Sequence, residues 1–566
     1  MNLITIDRSR RRLASIFVAA GIAATLVPGP GHFAQAANQI ETLATSYVPT
    51  VSESIDASGF KHPGLGYTKQ MLENVQLQVR TQQQPWTDYF NDIAGYDSSS
   101  KTPTVKNTGN GTTPRFPGLA SQAMNDTFIS DGMAAYGQAV MYLLTGDEVY
   151  RANGMRIIRI YEQMDPTKYA YFTDAHIHTG IPLQRMLAGA EILRYTSTQN
   201  PALAWTDDDT AKLTANLIVP VMQTFNSSNA RFMNQHLYTT IAKMSGAIFT
   251  GNVAEYNKAV EWFTVNEDAV DQGQNGAIKA LFRLVTRNDQ TGEPVTPAVQ
   301  HVEMGRDQAH GGGDITNAEI LARMMNAQGT KVDPVEGTVS TAPNAVGPYE
   351  FLDDRILTAA ELYASFMVGY QIPWVPTASR SDPDGNPTVL YYGVSNGVRG
   401  RTSMALWDLF YYYQYVRGLD MTQRAPNFTK YFSARGYNNW SGHDGGGDYW
   451  LGIPAQAAQA EGAKYGVMSS VGSIREVEDR YTALDSNTVL MQEGTTKFLR
   501  VTATTAGTSL AVFGYGGGGT YGIRIRTNGT ATGTVRGISF KLPDTQGQWR
   551  YVVLPIASDE FQGYVF

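Results

Sequence analysis

The sequence predicts a long all-α layer, able to close into an (α/α) toroid, followed by a smaller antiparallel β-sandwich. Apolar residues recur at helical spacing from about Leu65 to Gly418. After about Arg435 the texture changes to short alternating runs broken by glycine. The 566 residues are 42% hydrophobic and 17% charged, enough apolar material for a sizeable core. The expected divisions are residues 1–36 as an export signal, 37–430 as the helical domain and 431–566 as the β domain.

Ser9-Arg10-Arg11-Arg12-Leu13 precedes an apolar run from Ile16 to Val27, and Ala34-Gln35-Ala36 follows. Basic, apolar and small-residue regions in that order read as a secretory signal, and the paired arginines give it a twin-arginine character. The run is short for a membrane span. A soluble chain beginning near Ala37 is expected, exported to a bacterial periplasm or beyond, with no stable membrane insertion.

Further along, Tyr136, Val140, Leu143 and Leu144 share a helical face, with Gly146 as a stop. Thr206-Asp207-Asp208-Asp209 offers cap residues before Leu213 and Leu217. The period returns at Ile241, Met244 and Ile248, at Val253, Tyr256, Val260 and Phe263, and at Ile356, Leu357, Ala360 and Tyr363. No strand pattern is read between these helices. Trp407, Tyr411 and Tyr415 fall on one face, read as core before sugar platform. Phe498–Ala503, Tyr521–Arg526 and Trp549–Leu554 read as strands.

Charge and composition exclude several functions. Lys and Arg number 44 against 51 Asp and Glu, a net charge of −7. The first 36 residues carry four arginines against Asp7, so without them the charge would be −10. No bulk basic field exists for general nucleic-acid binding. Cysteine is absent, which excludes disulfides, thiol nucleophiles and thiolate metal sites. There is no G-x-S-x-G elbow and no H-E-x-x-H. His443, Asp444 and Asp448 have only weak calcium spacing. No metal and no cofactor is expected. The 31 tyrosines suit sugar-handling surfaces.

Five of the eight histidines sit in three polar segments of the helical region: Asp174 to Gly180, with His176 and His178; Asn234-Gln235-His236-Leu237-Tyr238; and His301 to Asp314. The plain reading of the second is a helix start with a capping Asn. That of the third is a buried ion pair at a helix start, with His301, like His62, a surface or satisfied core residue. Against it, Arg306, Asp307, Gln308 and His310 are packed together ahead of Gly311-Gly312-Gly313. A charged patch beside backbone that permits close approach is what an anionic ligand requires.

Several runs resemble polysaccharide lyases of the alginate lyase type, including glucuronan lyases. Asp131 through Gly146 is similar to the family's early helix. Asn234-Gln235-His236-Leu237-Tyr238 resembles its N-x-H-x-Y, and Glu303-Met304-Gly305-Arg306-Asp307-Gln308-Ala309-His310 resembles E-x-x-R-D-Q-x-H. Asp353-Asp354-Arg355-Ile356-Leu357 with Glu361-Leu362-Tyr363-Ala364 is similar to D-x-R-L-L and E-Y-x-A. Arg524–Gly529 and Leu542–Trp549 resemble the β domain of some members.

The resemblance implies a toroid followed by a β-sandwich, and β-elimination at C4 of a uronate. Arg306, Asn234 and Gln235 would neutralise the sugar carboxylate, and His236 would be the base. In the family a tyrosine follows the arginine several residues on. Here that run holds His310 and no Tyr, so either His310 shares the proton work or Tyr238, Tyr349 or Tyr411 supplies the acid. His176, His178, Arg185, Glu303, Asp307, Gln308, Arg355, Arg401 and Trp374 complete the expected substrate contacts. The −10 charge opposes a polyanion at long range, so the cleft must be locally positive. The expected partner is glucuronan or alginate, met by a monomer. The competing readings are a glycoside hydrolase on a helical toroid and a non-catalytic glycan-binding protein.

Overall fold

A computed structural model of the chain describes residues 43, 46–172, 174–225, 233–269, 272, 274–367, 372–381, 386–395, 397, 406–434, 450–458, 482–483, 488–493, 496–501, 509–513, 519–535, 538–548, 550–556 and 561–565. The expected export signal, Arg401 and the stretch from His443 to Asp448 lie outside the described residues, as does the side chain of His178.

A small hairpin of β1 (Ser54–Ile55) and β2 (Lys61–His62) leads into α1 (Lys69–Arg80) and α2 (Trp86–Ile93). The expected helix over Tyr136–Leu144 is the end of α3 (Gln122–Thr145), which stops where Gly146 turns to φ 71°. Asp147 caps α4 (Glu148–Tyr161) by accepting the Val149 N–H. After α5 (Ala175–Tyr195), a capping box between Thr206 and Asp209 opens α6 (Asp207–Leu213). A π turn over Thr214–Ile218 joins it to α7 (Val219–Phe225). Next come α8 (Met233–Thr250), α9 (Val253–Thr264) and the single turn α10 (Ile278–Leu281).

These helices sort into two kinds. α3, α5 and α8 are buried on nearly every side, whereas α4 and α9 bury one face, through Ile157, Ile158 and Tyr161 or Tyr256, Val260 and Phe263. A helix apolar or small all round lies inside, and an amphipathic one covers it. α3 packs on α5 and α5 on α8, while α4 lies on α3 and α9 on α8. The all-round-buried α11 (Gln308–Gln328) continues the inner row against α8, and α12 (Phe351–Met367) packs on α11.

Two strand pairs interrupt this layer, against the expectation of uninterrupted helices. β3 (Phe282–Arg287) pairs with β4 (Pro294–His301), and β5 (Thr377–Ser381) with β6 (Pro387–Tyr391), each antiparallel. Both ladders shift register, one between Val285 and Arg287 and the other around Arg380. Such irregularities break the two-residue period by which a strand is read from sequence. The pairs are fastened together: the Gln300 amide donates to the Val375 carbonyl at 3.0 Å and to Thr377 Oγ1 at 2.6 Å, and the Ala378 N–H donates to Asp289 at 2.8 Å.

α12 also begins unexpectedly. Leu352, Asp353 and Asp354 hold φ of 51°, 59° and 53°, a left-handed turn that costs L-residues energy. Arg417 and Arg424 face Asp354 at 3.6 and 3.9 Å, and Arg417 also pairs with Glu350 at 3.1 Å, bracing the turn. α13 (Trp407–Tyr411), α14 (Met421–Arg424) and α15 (Pro426–Ala434) follow. No described helix is long and apolar enough to cross a membrane.

The C-terminal region is antiparallel β. It holds β7 (Thr482–Ala483), β8 (Thr488–Glu493), β9 (Thr496–Val501), β10 (Ser509–Phe513), β11 (Gly519–Ile525), β12 (Ala531–Val535), β13 (Ile538–Leu542), β14 (Arg550–Ile556) and β15 (Phe561–Val565). One sheet runs β13-β12-β15-β10-β7, and β8–β9 and β11–β14 form separate pairs. The three strands read from the sequence fall on β9, β11 and β14.

Candidate active site

The starts of α5, α8 and α11 gather the three polar segments. Gly180, near the start of α5, lies so close to α8 that a Cβ there would sit 2.1 Å from the Tyr238 carbonyl oxygen, so only glycine fits. The start of α8 meets the turn ahead of α11 through one carboxylate. Glu303 Oε2 accepts the Asn234 N–H at 3.3 Å, and Glu303 Oε1 accepts Arg306 Nη1 at 3.4 Å. Asn234 and Arg306, 72 positions apart in sequence, thus share a partner.

Asp307 is the N-cap of α11. Its Oδ1 accepts the N–H groups of Ala309 and His310, both at 2.9 Å, and its Oδ2 lies 2.7 Å from His310 Nδ1. Burial pushes the Asp307 carboxyl up, but the His310 contacts and Arg306 outweigh it and hold it below its ordinary value. A charged carboxylate only accepts, so His310 Nδ1 donates to it, which directs the ring's Nε2 away from Asp307. The His310 and Arg306 side chains are 30% and 38% exposed, enough for a ligand to reach them.

Beneath them lies a dry layer. Glu303 is fully buried, and burial, helped by Asp314, pushes its carboxyl up to about 8. Burial likewise lifts Asp314 well above the ordinary range. Asp314 contacts His301 Nε2 at 3.1 Å, and burial drives that imidazole down to about 3. Burial disfavours the charged form of both carboxyls, which weakens their hold on the Arg306 charge. The N-terminal dipoles of α8 and α11 add to it.

Other expected contacts take different places. His236 is 0% exposed; its Nε2 donates to the Trp262 carbonyl at 2.7 Å, its Nδ1 is unpartnered, and burial brings it down to about 4. It stays neutral at pH 7 and is closed off from any ligand at the surface, contrary to the expectation that it is the base. Gln235 is half-buried beside it. Tyr238, Tyr349 and Tyr411 are 2%, 2% and 1% exposed, and Tyr349 stacks on Tyr412 with ring centres 3.8 Å apart. His176 lies under Tyr171, which it contacts at 3.3 Å, and Arg185 is 1% exposed. Gln308 is turned inward: its amide donates to the Met304 and Ser395 carbonyls at 3.0 and 2.7 Å. Arg355 donates to the Phe282 carbonyl at 2.8 Å. Gly311, Gly312 and Gly313 lie buried within α11, where helix hydrogen bonds occupy their N–H groups, so they do not form the ligand cradle read from the sequence.

Tyr391, which ends β6 with its ring against Gly305, was not singled out because β6 was not read as a strand. Trp374, expected to stack on sugar, donates its indole N–H to the Tyr391 carbonyl at 2.9 Å. The following loop is stitched to the site: Ser395 N–H donates to the Met304 carbonyl at 2.9 Å and Gln308 N–H to the Gly397 carbonyl at 3.0 Å. The Pro373 and Pro376 flanks of Trp374 were the signal that this segment was ordered.

Among the described residues, no three His, Asp or Glu side chains gather as metal ligands. The arrangement offers an exposed cation, an oriented imidazole and a buried acid layer. No family model matches the chain, and no curated protein matches it.

Proposed function

We propose that the chain is an exported polysaccharide lyase, built as an (α/α) toroid with a β-sandwich, that cleaves a uronate polymer such as glucuronan or alginate by β-elimination. The observation that supports this best is the pairing of Arg306 with the Asp307–His310 dyad above a neutral, buried Glu303. The Arg306 guanidinium binds the C6 carboxylate and draws charge from it, which makes the C5 proton acidic. His310 Nε2 takes that proton. Asp307 fixes the tautomer and stabilises the imidazolium as it forms, the role a carboxylate plays behind any catalytic imidazole. His236 holds the start of α8 against Trp262; Asn234, expected to meet the sugar carboxylate, is only 5% exposed and is left out of the substrate contacts.

The reaction adds no water and leaves a C4=C5 double bond conjugated to the carboxylate. The purified chain, mixed with a panel of polyuronates, should generate ultraviolet absorbance from that product, and Arg306→Ala should abolish it. Reducing ends released without absorbance would replace the proposal with a hydrolase, and binding with no change in polymer length would replace it with a glycan-binding protein.

A further inference from the structure

A cavity of about 620 Å³ opens between the last turn of α4 and α6, lined by Arg159, Glu162, Gln163, Asp208, Asp209 and Lys212. Four of its charges cancel in pairs. Arg159 clasps Asp209, Nε to Oδ1 at 2.8 Å and Nη2 to Oδ2 at 3.3 Å. Lys212 Nζ holds Asp208 Oδ2 at 2.6 Å. Asp209 also accepts the Thr206 N–H and hydroxyl, at 2.8 and 2.7 Å, which fills its acceptor sites.

Glu162 is the remainder. It follows the last residue of α4 and is 5% exposed, and its Oε1 has no hydrogen-bond partner among the described residues. A buried carboxyl without a donor is costly, so such a group calls for an explanation. Beside it, the Gln163 amide gives its N–H groups to the Thr112 and Arg159 carbonyls, both at 2.8 Å, which leaves its oxygen as an acceptor. The C-terminal end of α4 adds the negative end of the helix dipole. What this lining lacks is a donor that carries positive charge.

We propose that the cavity binds a primary ammonium group, held by the Glu162 carboxylate and the Gln163 oxygen. This does not rest on the lyase reading. One unpaired acid matches one positive charge, whereas a divalent ion would have to take Asp208 from Lys212 or Asp209 from Arg159. Occupancy is coupled to protons. Burial and then Asp209 push the Glu162 carboxyl up to about 8, with Arg159 and Lys212 opposing and Asp208 adding. An ammonium binds the carboxylate, so below that value it displaces a proton, and its affinity climbs with pH until Glu162 is ionised.

The test is calorimetric titration of the full-length chain with butylamine, butanol, calcium chloride and sodium phosphate. Butylamine should bind saturably, and about tenfold more tightly at pH 7 than at pH 6. Glu162→Gln keeps the shape and removes the charge; it should weaken binding about tenfold or more and flatten the pH dependence. Lys212→Ala, at a side chain 53% exposed, frees Asp208 and should tighten binding about threefold. The proposal is overturned if butylamine does not bind the parent, if butanol binds as well as the amine, or if Glu162→Gln binds like the parent. Weaker binding by Lys212→Ala, or calcium or phosphate held in place of the amine, overturns it too. Circular dichroism checks the fold of Glu162→Gln, and the exposed Lys212 keeps the second variant independent of that check.

Discussion

Two histidine–carboxylate pairs flank the start of α11, and they differ in one respect. His301 and Asp314 are 3.1 Å apart and neither is exposed; burial disfavours the charged form of each. His310 and Asp307 are 2.7 Å apart with side chains 30% and 28% exposed, and Asp307 keeps its charge. The same two groups make a structural clasp in one place and, in the proposed lyase, an oriented base in the other. Access to water decides, because only solvent or a hydrogen-bonding partner sustains the charge that catalysis uses.

The comparison is sharpened most by the exposed side. Arg306→Ala should cost roughly 10³-fold in turnover, read as absorbance of the unsaturated product, with circular dichroism checking that the fold survives. His310→Ala should cost roughly 10²–10³-fold under the same assay. Asp307→Asn should cost roughly 10–100-fold, because an amide can offer N–H to Nδ1 and favour the wrong tautomer; wild-type rates would show that the carboxylate does not orient the ring.

The buried side should respond in stability instead. His301→Ala should lower unfolding free energy by about 1–3 kcal/mol in a denaturant titration, leaving the turnover of folded molecules intact. Loss of turnover in well-folded His301→Ala would erase the distinction between the pairs. The smallest effect is in pH dependence. Glu303 has its folded value raised from 4.5 to about 8, so the stability it contributes is complete below 4.5 and lost as pH rises towards 8. Glu303→Gln should therefore gain melting temperature relative to the parent across that window. A difference that does not vary with pH would mean Glu303 titrates normally.

Legibility followed range. Gly146 as a stop, the Thr206 cap and the faces of α8 and α9 were readable because each depends on neighbours a few residues away. The strands β3 to β6 were not, because bulges interrupt their alternation and their fastening runs through Gln300, Asp289 and Thr377, distant in sequence. The site was half legible. Arg306, Asp307 and His310 declared themselves by charge density in a short run. His236 was equally conspicuous as a motif, yet its burial follows from α9 passing over it, which no local pattern encodes.

The sequence by itself determined the faces of several helices, the Gly146 stop and the Thr206 cap, and that an arginine, an aspartate and a histidine are close in the chain, since these are matters of spacing and capping. Only the tertiary structure decided which histidine meets solvent, that Glu303 and Asp314 lie in a dry layer, and that Tyr391 covers the backbone before Arg306. Burial and proximity are set by every element packed around a residue, and they fix its charge as firmly as its chemical identity does.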